Sequence, residues 1–254
     1  MPMFSGTTAI INRSIAIFAT FDQPPYHFSG GYVQGHWLDT CDSCTPVRRR
    51  LNSKVEYDPD RKTTVMRIEA SKRLFNVDDY YRMAEVGILG PEDRVELIDG
   101  EIIRMSPIGT RHAGCVNRAT RIFSYAFRGK AIVSVQNPLR LNNYTEPEPD
   151  LVLLKHRADD YGGKRMMAED ALLVLEVADT TLQYDRDVKV PRYAAAGIPE
   201  VWIEDLKRNR ILVYRDPEPN GFRTVLTLKR GESLSILAFP ETTFTIDELF
   251  TQNV

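Results

Sequence analysis

The feature that most constrains the fold is an apolar run at residues 171–177, in which Glu176 is the one charged residue. A strand that is apolar at every position is buried on both faces, whereas a strand with one solvent-exposed face alternates apolar and polar residues. The run therefore predicts a central strand of a sheet that is covered on both sides. A carboxylate in such a strand is costly to bury without a cation or a hydrogen-bond partner. Glu176 is therefore either a functional residue or one half of a salt bridge to an arginine or a lysine.

Patterns on both sides of this run alternate between helix and strand. Asn76 is suited to cap a helix over residues 77–85, and Asp99-Gly100 supplies the positive φ angles of a two-residue turn between strands at 95–98 and 101–103. Further patterns predict a helix over 110–128, capped by Thr110. A second helix is predicted over 187–196, with Pro191 in or just after the first turn and Gly197 after the end. Strands are predicted over 132–141, 151–154, 201–203, 210–214 and 222–228. Together these patterns predict helices packed on a sheet.

Residues 1–65 lack the periodicity of the rest of the chain. They mix short apolar runs with Pro24-Pro25, Gly30-Gly31 and a basic run at residues 48–50. We therefore predict a poorly structured N-terminal extension over residues 1–65 and one folded domain over 66–254, with Met66 as a candidate start of translation. The apolar stretch at residues 15–21 is shorter than the roughly 18 residues of a membrane helix, and no signal-peptide cleavage site follows it. We expect no membrane segment.

The composition fits a soluble globular protein, because 43% of the residues are apolar and 27% are charged. The formal net charge of −2 gives no sign of the basic excess that usually accompanies nucleic-acid binding, so any surface that faces DNA must be local. The three cysteines argue against a disulfide framework and favour a reducing, cytoplasmic location. Cys41-x-x-Cys44 has the spacing of half a zinc site, but His27 and His36 complete no recognisable pattern.

Two more carboxylates stand beside apolar residues. Asp150 follows Glu146-Pro-Glu-Pro and precedes the apolar residues 151–154, so the prolines hold the entry to that strand extended. Glu96 is flanked by apolar residues in its predicted strand. Carboxylates from different strands are the hard oxygen ligands that Mg²⁺ needs. Each also has a structural interpretation, as a turn aspartate for Asp150 and as an outward-facing hairpin residue for Glu96.

Lys189 lies thirteen residues after Glu176 on a predicted helix, and Tyr193 shares its face one turn later. If this helix packs on the sheet, the ammonium group can reach Glu176, orient a water molecule and stabilise charge on a phosphate. A solvated surface lysine is the alternative. His112, in the first turn of its helix, and Gln136, at a strand end, remain open between a catalytic and a structural role.

Seven short motifs occur in one order between about residues 72 and 250. They are Phe75-Asn-Val-Asp-Asp-Tyr80, Val95-Glu-Leu-Ile-Asp-Gly-Glu-Ile102, Ser106-Pro107 followed by His112, Glu148-Pro-Asp-Leu151, Leu175-Glu-Val-Ala-Asp-Thr180, Asp185-Arg-x-x-Lys189-x-Pro-x-Tyr193 and Ala196-Gly-Ile-Pro-Glu-Val-Trp202. Together they resemble the Uma-type family of predicted restriction endonucleases, long catalogued as a domain of unknown function. Each motif alone is weak, and their common order makes the resemblance specific. Residues 1–65 have no counterpart in the family pattern.

The resemblance implies an α/β (α+β) fold with a PD-(D/E)XK restriction-endonuclease-like core, in which helices flank a mixed central sheet. It implies that Asp150, Glu176 and Lys189 form the catalytic site, with Glu96 as an accessory, and that the lysine has moved from the strand of Glu176 to the following helix. The metal ligands would be Asp150 and Glu176, joined by Glu96. The nuclease-like domain would then span residues 66–254.

We therefore expect a Mg²⁺-dependent endonuclease that hydrolyses DNA phosphodiester bonds, with Mn²⁺ as a substitute metal. In this hypothesis Asp150 and Glu176 hold the metal, which polarises the phosphate and activates a water molecule, and Lys189 positions that water for in-line attack. Nucleases that cut both strands often dimerise, so we expect a homodimer. Two alternatives stay open. One is a catalytically inactive nucleic-acid-binding or assembly protein on the same scaffold, favoured by the pI of about 6.1, and the other is a hydrolase of smaller phosphate esters.

Overall fold

The computed structural model describes the backbone of Ser53–Asp58 and Thr63–Ile68 and the whole of residues 71–250. In chain order the strands are β1 (Ser53–Asp58), β2 (Thr63–Ile68), β3 (Val95–Ile98), β4 (Glu101–Arg104), β5 (Ala131–Val135), β6 (Leu151–Lys155), β7 (Ala171–Ala178), β8 (Glu200–Asp205), β9 (Arg210–Glu218), β10 (Gly221–Lys229), β11 (Ser233–Ile236) and β12 (Phe239–Thr245). The helices are α1 (Val77–Glu85), α2 (Thr110–Ala126), α3 (Leu182–Tyr184), α4 (Val190–Ala195) and α5 (Ile246–Leu249), with a 3-10 turn at Ala168–Asp170 and a π-helical turn at Asp185–Lys189.

A six-stranded mixed sheet forms the centre of the domain, in the order β10-β9-β8-β7-β6-β5. β7 and β8 are parallel, and every other neighbouring pair in this sheet is antiparallel. Two consecutive parallel strands need a crossover, and the helical residues 182–195 lie in that connection. The predicted mixed sheet with flanking helices is therefore confirmed, and the apolar run at 171–177 lies within β7.

One apolar layer covers each face of this sheet. On the first face, α2 and α5 pack through Phe123 and Leu249 on strand side chains such as Trp202 of β8. On the second face, α4 packs through Val190 and Tyr193. Apolar residues of β7 belong to both layers, as the two-residue period of a strand requires. Burial on both faces explains the continuous apolar sequence of β7 and leaves Glu176 as an ionisable group inside the protein.

The turn between β3 and β4 has the predicted Asp-Gly conformation. Its φ angles are 50° at Asp99 and 77° at Gly100, both in the left-handed region that a two-residue turn of this kind uses. Space also requires glycine, because a Cβ atom at residue 100 would stand 2.7 Å from the Cβ atom of Leu74. The backbone of Leu97 in β3 exchanges two hydrogen bonds with that of Glu146. This pairing brings Glu96 beside the extended residues 146–150.

The helical segment after β7 begins earlier than predicted. α3, the π-helical turn and α4 follow one another without a break over residues 182–195, whereas we predicted a helix from residue 187. The N–H of Val190 donates to the carbonyl oxygen of Asp185, five residues back. This wider turn directly precedes Pro191, whose ring and missing N–H disrupt a regular α-helix. Pro191 lies in the first turn of α4 but is the tenth residue of the continuous helical segment.

Most other predicted boundaries are confirmed, with two exceptions. α1 begins after Asn76, whose side chain accepts a hydrogen bond from the N–H of Asp79. Thr110 was the wrong cap for α2, because Gly109 occupies the N-cap and Thr110 is already the first helical residue. The predicted strand over 132–141 is too long. β5 ends at Val135, since the left-handed φ of 49° at Gln136 turns the chain away from the sheet.

The chain divides into two units between Arg73 and Leu74. In the first unit, β1 and β2 pair as an antiparallel hairpin. The predicted boundary between residues 65 and 66 falls inside β2. The poorly structured extension over residues 1–65 and the candidate start of translation at Met66 stay predictions. The zinc candidates His27, His36, Cys41 and Cys44 and the apolar stretch at 15–21 lie outside the described residues. No helix in the described part of the chain has both the length and the apolar character to cross a membrane.

Candidate functional site

Glu176 lies near the end of β7, on the face that α4 covers, and only 3% of it is exposed. Its Oε1 accepts a hydrogen bond from the Tyr193 hydroxyl at 2.6 Å and lies 3.3 Å from Lys189 Nζ. Lys189 is 6% exposed, so the alternative of a solvated surface lysine is excluded. The helical segment therefore brings the lysine and the tyrosine to Glu176 together, in the arrangement expected from their spacing.

Glu96 approaches the same lysine from β3. Its Oε2 lies 3.1 Å from Lys189 Nζ, and its Oε1 accepts a hydrogen bond from the Tyr184 hydroxyl at 3.1 Å. The backbone N–H of Glu148 also donates to Oε2, at 3.2 Å. Glu96 is 1% exposed, so the outward-facing interpretation of this residue is wrong. The lysine thus stands between two buried glutamates from different strands.

Asp150 lies directly before β6 and across from Glu176. The antiparallel register pairs Leu151 with Leu175, so Asp150 falls opposite Glu176 one step further along. Its Oδ2 accepts a hydrogen bond from the N–H of Val177 at 2.9 Å. The fold therefore places Asp150 beside the end of β7 near Glu176, and the charge of Asp150 adds to the raised pKa of Glu176.

The two residues that the sequence left open both contact Asp150. His112 Nε2 lies 2.8 Å from Oδ1, and Gln136 Nε2 donates to the same oxygen at 3.2 Å. The hydrogen bond to Asp150 raises the pKa of His112, against the opposing effect of burial. Three donors, counting the backbone N–H at residue 177, thus hold the Asp150 carboxylate in one orientation.

Asp185 is a further acid of the site, and sequence reasoning did not select it. It is 4% exposed and accepts a hydrogen bond from the Thr181 hydroxyl at 2.6 Å. Burial raises its pKa to about 6, although Lys189 opposes the rise. The four-residue spacing of Asp185 and Lys189 was a usable signal. It was missed because the predicted helix began two residues after Asp185.

Negative charge exceeds positive charge around Lys189. Within residues 71–250, Lys189 is the one cation at ion-pair distance from Glu96 or Glu176. Burial acts to lower the pKa of Lys189, but Glu176, Glu96 and Asp185 raise it above its ordinary value, so the amine stays protonated. Burial raises the pKa of Glu176 to about 8, with Lys189 opposing the rise. One ammonium group does not neutralise three carboxylates, so the site takes up protons near neutral pH unless another cation is present.

This donor set fits a hard divalent cation. Asp150 and Glu176 would supply oxygen ligands, and an added positive charge beside them would lower the raised pKa of Glu176. Within the described residues, no three His, Cys, Asp or Glu side chains are grouped closely enough to hold one ion by themselves. Mg²⁺ commonly takes only one or two carboxylates and completes its shell with water and phosphate oxygens. Two neighbouring acids are therefore sufficient protein ligands for it.

A fully buried acid lies behind the site, on β8. Glu204 pairs in register with Val177, is 0% exposed, and has no hydrogen-bond partner on either carboxylate oxygen among the described residues. Burial raises its pKa to about 8, Asp150 adds to the rise, and Arg118 opposes it. Its sequence signal was a charged residue directly after the apolar strand residues 201–203.

Comparison with known proteins identifies the family of this fold. The Uma2 family model, described as "Putative restriction endonuclease", matches residues 77–247. A crystal structure described as a "putative nuclease belonging to DUF820" from Anabaena variabilis ATCC 29413 has a similar fold, with a TM-score of 0.56 at 14% identity over 69% of this chain and 97% of that one. No curated protein matches the sequence. The family match extends from α1 to α5 and includes every acid of the site and Lys189, and the chain therefore belongs to the Uma2 family.

Proposed function

We propose that this protein is a Mg²⁺-dependent endonuclease that hydrolyses phosphodiester bonds in DNA at a site of the PD-(D/E)XK type. The observation that carries the proposal is the approach of Asp150 and Glu176 across neighbouring strands, with the Lys189 ammonium group beside Glu176. Membership of a family described as restriction endonucleases supports the nuclease class. A homodimer and a cytoplasmic location stay predictions.

In this proposal Asp150 and Glu176 hold the cation. Bound there, Mg²⁺ (or Mn²⁺) would neutralise and polarise the phosphodiester group. His112 and Gln136 fix the orientation of Asp150, and Tyr193 fixes that of Glu176. Such supporting hydrogen bonds keep ligand oxygens in place before the metal and substrate arrive. Glu96 orients Lys189 through their ion pair, and its role as a further ligand stays a prediction.

Lys189 acts as a cation in this proposal and not as a base, because the neighbouring acids keep its pKa raised. Hydrolysis bonds a water oxygen to phosphorus, breaks one ester P–O bond, and moves one proton from the water to the leaving oxygen. An ammonium group beside the reacting phosphate donates hydrogen bonds to the attacking water or to the oxygen on which negative charge grows. Its buried ion pairs hold it in place for this task.

The test is cleavage of supercoiled plasmid DNA by the purified protein in Mg²⁺ or Mn²⁺. The wild-type protein should nick the plasmid, EDTA should stop the reaction, and Glu176→Gln should lower the rate at least about 100-fold. Glu169→Gln is the control, because the Glu169 side chain is 73% exposed. The folding of both variants is checked by circular dichroism.

Equal nicking by the wild type and Glu176→Gln would refute the assignment of this site. DNA binding that weakens with salt and persists in Asp150→Ala, without cleavage in any metal, would instead favour a binding or assembly protein on the same scaffold.

A further inference from the structure

A cavity of about 760 Å³ lies at the edge of the sheet formed by β5. We call it the edge cavity and define it by Tyr81, Ser134, Asn137, Glu146, Lys164 and Arg165, which belong to its lining. Its walls come from α1, from β5 and the residues after it, and from the loop before the 3-10 turn. Its volume lies in the range of small-molecule sites and accommodates one nucleotide.

Glu146 gives the edge cavity a hydrogen-bond acceptor that the described protein leaves unused. The residue is 2% exposed, and its Oε1 accepts a hydrogen bond from the Tyr81 hydroxyl. Its Oε2 has no hydrogen-bond partner among residues 71–250. Backbone hydrogen bonds to Leu97 fix the position of Glu146. A buried carboxylate oxygen without a partner is costly, and a ligand N–H group would satisfy it.

Next to this acceptor, an aromatic ring and a guanidinium group are stacked. The guanidinium carbon of Arg165 lies 4.0 Å from the centre of the Tyr81 ring. Arg165 is exposed, and the described residues place no carboxylate within ion-pair distance of it. Lys164 adds a second positive charge on the same loop, although it also pairs with Asp170 at 3.3 Å. Aromatic rings and arginine planes are the surfaces on which proteins stack unpaired bases, and the cations suit a phosphate.

A nucleobase with an amino group matches this combination. Its ring stacks, its N–H donates to Glu146, and its phosphate meets Arg165. Cytosine is the clearest case, because its exocyclic amine is the usual donor to a carboxylate. Thymine has no amino group, and its single N–H lies between two carbonyl oxygens, which a carboxylate repels. The edge cavity should therefore distinguish cytosine from thymine.

The edge cavity and the proposed catalytic site are connected by the short segment between Glu146 and Asp150. The two residues are four positions apart, so this segment spans at most roughly 13 Å, the length of four residues in an extended strand. Between them, the N–H of Glu148 donates to Glu96, so the connecting segment is fixed to the acid site. A single DNA strand with a phosphate near Asp150 can thus place a base a few nucleotides away in the edge cavity.

We infer that the edge cavity binds an unpaired, amino-bearing base, cytosine above all, of the DNA strand that the protein cleaves, with Glu146 as the hydrogen-bond acceptor. This inference rests on the proposed function. Glu146 and Arg165 would be specificity residues, separate from the residues that act on the phosphate.

The test is binding of fluorescently labelled oligo-dC and oligo-dT of equal length, followed by anisotropy in Ca²⁺. The wild-type protein should bind oligo-dC about tenfold more tightly than oligo-dT. Glu146→Gln should reduce this preference to about twofold or less. It should weaken oligo-dC, because an amide N–H₂ group then faces the base amine, and it should not weaken oligo-dT, because the amide no longer repels the thymine carbonyl oxygens. Arg165→Ala should weaken both oligonucleotides at least about fivefold through lost stacking. Arg223→Ala, an arginine with a 70% exposed side chain on β10, is the matched control and should change neither affinity.

Equal affinity of the wild type for the two oligonucleotides, with plasmid cleavage intact, would overturn the inference and leave the proposed function standing. A cytosine preference that Glu146→Gln does not alter would also overturn it. If free dCMP and oligo-dC bind with equal affinity, and both depend on Glu146, the cavity is a site for free nucleotides. That result would refute its link to the cleaved strand. A wild type that neither binds nor cleaves DNA would refute the proposed function and the inference with it. Circular dichroism and melting curves of Glu146→Gln exclude unfolding as the cause of a lost preference.

Discussion

Two groups of buried acids in the same domain differ in how their charge is compensated. Glu200, at the start of β8, is 0% exposed, and Arg215 lies 2.7 Å from its carboxylate. The carboxylate also accepts hydrogen bonds from Trp202 Nε1 at 2.8 Å and from the N–H of Leu237 at 2.7 Å. Asp205, at the end of the same strand, pairs with Arg210 at 2.9 Å. Each of these acids has its own guanidinium group and a structural role.

The acids of the candidate site are just as buried and have too few cations. Glu96 and Glu176 share Lys189, and within the described residues Asp185 has no ion pair and Glu204 has no hydrogen bond. Burial therefore does not distinguish a structural acid from a functional one in this fold. Uncompensated charge does distinguish them. Such a site lowers the stability of the folded protein, so its retention indicates a function.

Removal of the lysine should give the largest effect on stability. Lys189→Met leaves buried carboxylates without their cation, so we expect a loss of about 3 kcal/mol in the free energy of unfolding above neutral pH. Arg215→Met should lower the free energy of unfolding by a similar amount, because it leaves the buried carboxylate of Glu200 without its cation. Urea denaturation with and without Mn²⁺ separates the two regions. Mn²⁺ should restore much of the stability of Lys189→Met and none of that of Arg215→Met, and equal behaviour of both variants would abolish the distinction.

Replacement of Glu176 should have a smaller effect that depends on pH. Its pKa is about 8 in the folded protein against an ordinary value of 4.5, so its contribution to stability is complete below pH 4.5 and is lost as the pH rises to about 8. Without metal, Glu176→Gln should therefore match the wild type at about pH 5 and exceed it by on the order of 2 kcal/mol at about pH 9. Glu200→Gln, measured in the same urea titrations, should be less stable than the wild type at both pH values. A Glu176→Gln variant that is equally destabilised at both would contradict the raised pKa.

The smallest expected effect is at Glu204. Glu204→Met replaces a buried carboxyl group without partners by an apolar side chain of similar size, so we expect a gain of about 1 kcal/mol in stability. The melting temperature measures this gain, and plasmid cleavage should be retained because Glu204 is not a proposed ligand. A loss of stability would show that Glu204 has a partner, such as a bound water molecule, that compensates it.

The sequence was sufficient for the central strand β7, for the β3–β4 hairpin and for the acids Glu176 and Glu96 that they carry. A strand buried on both faces is recognised by its continuous apolar sequence, and a single glutamate within that sequence is a candidate functional residue. The Asp-Gly turn fixed the β3–β4 hairpin and hence the place of Glu96. Once a helix was predicted over residue 189, helical spacing also predicted that the Lys189 ammonium group reaches Glu176.

Other parts of the site depend on contacts between distant residues, which no local pattern records. His112 and Gln136 meet at Asp150 from two different elements, and their roles were open until the fold brought them together. Asp185 was missed because Pro191 favoured a helix start near residue 187, while the π-helical turn lets the helix begin earlier. The edge cavity had no sequence signal, because its lining comes from segments far apart in the chain.

The most direct test of a cation site among these acids is anomalous scattering from a crystal soaked in Mn²⁺. We predict a peak between the carboxyl groups of Asp150 and Glu176, at about 2.1 Å from an oxygen of each. The peak should be lost in Glu176→Gln. A crystal with no peak at these carboxyl groups in saturating Mn²⁺, with Lys189 still paired to Glu96 and Glu176, would refute a cation site there.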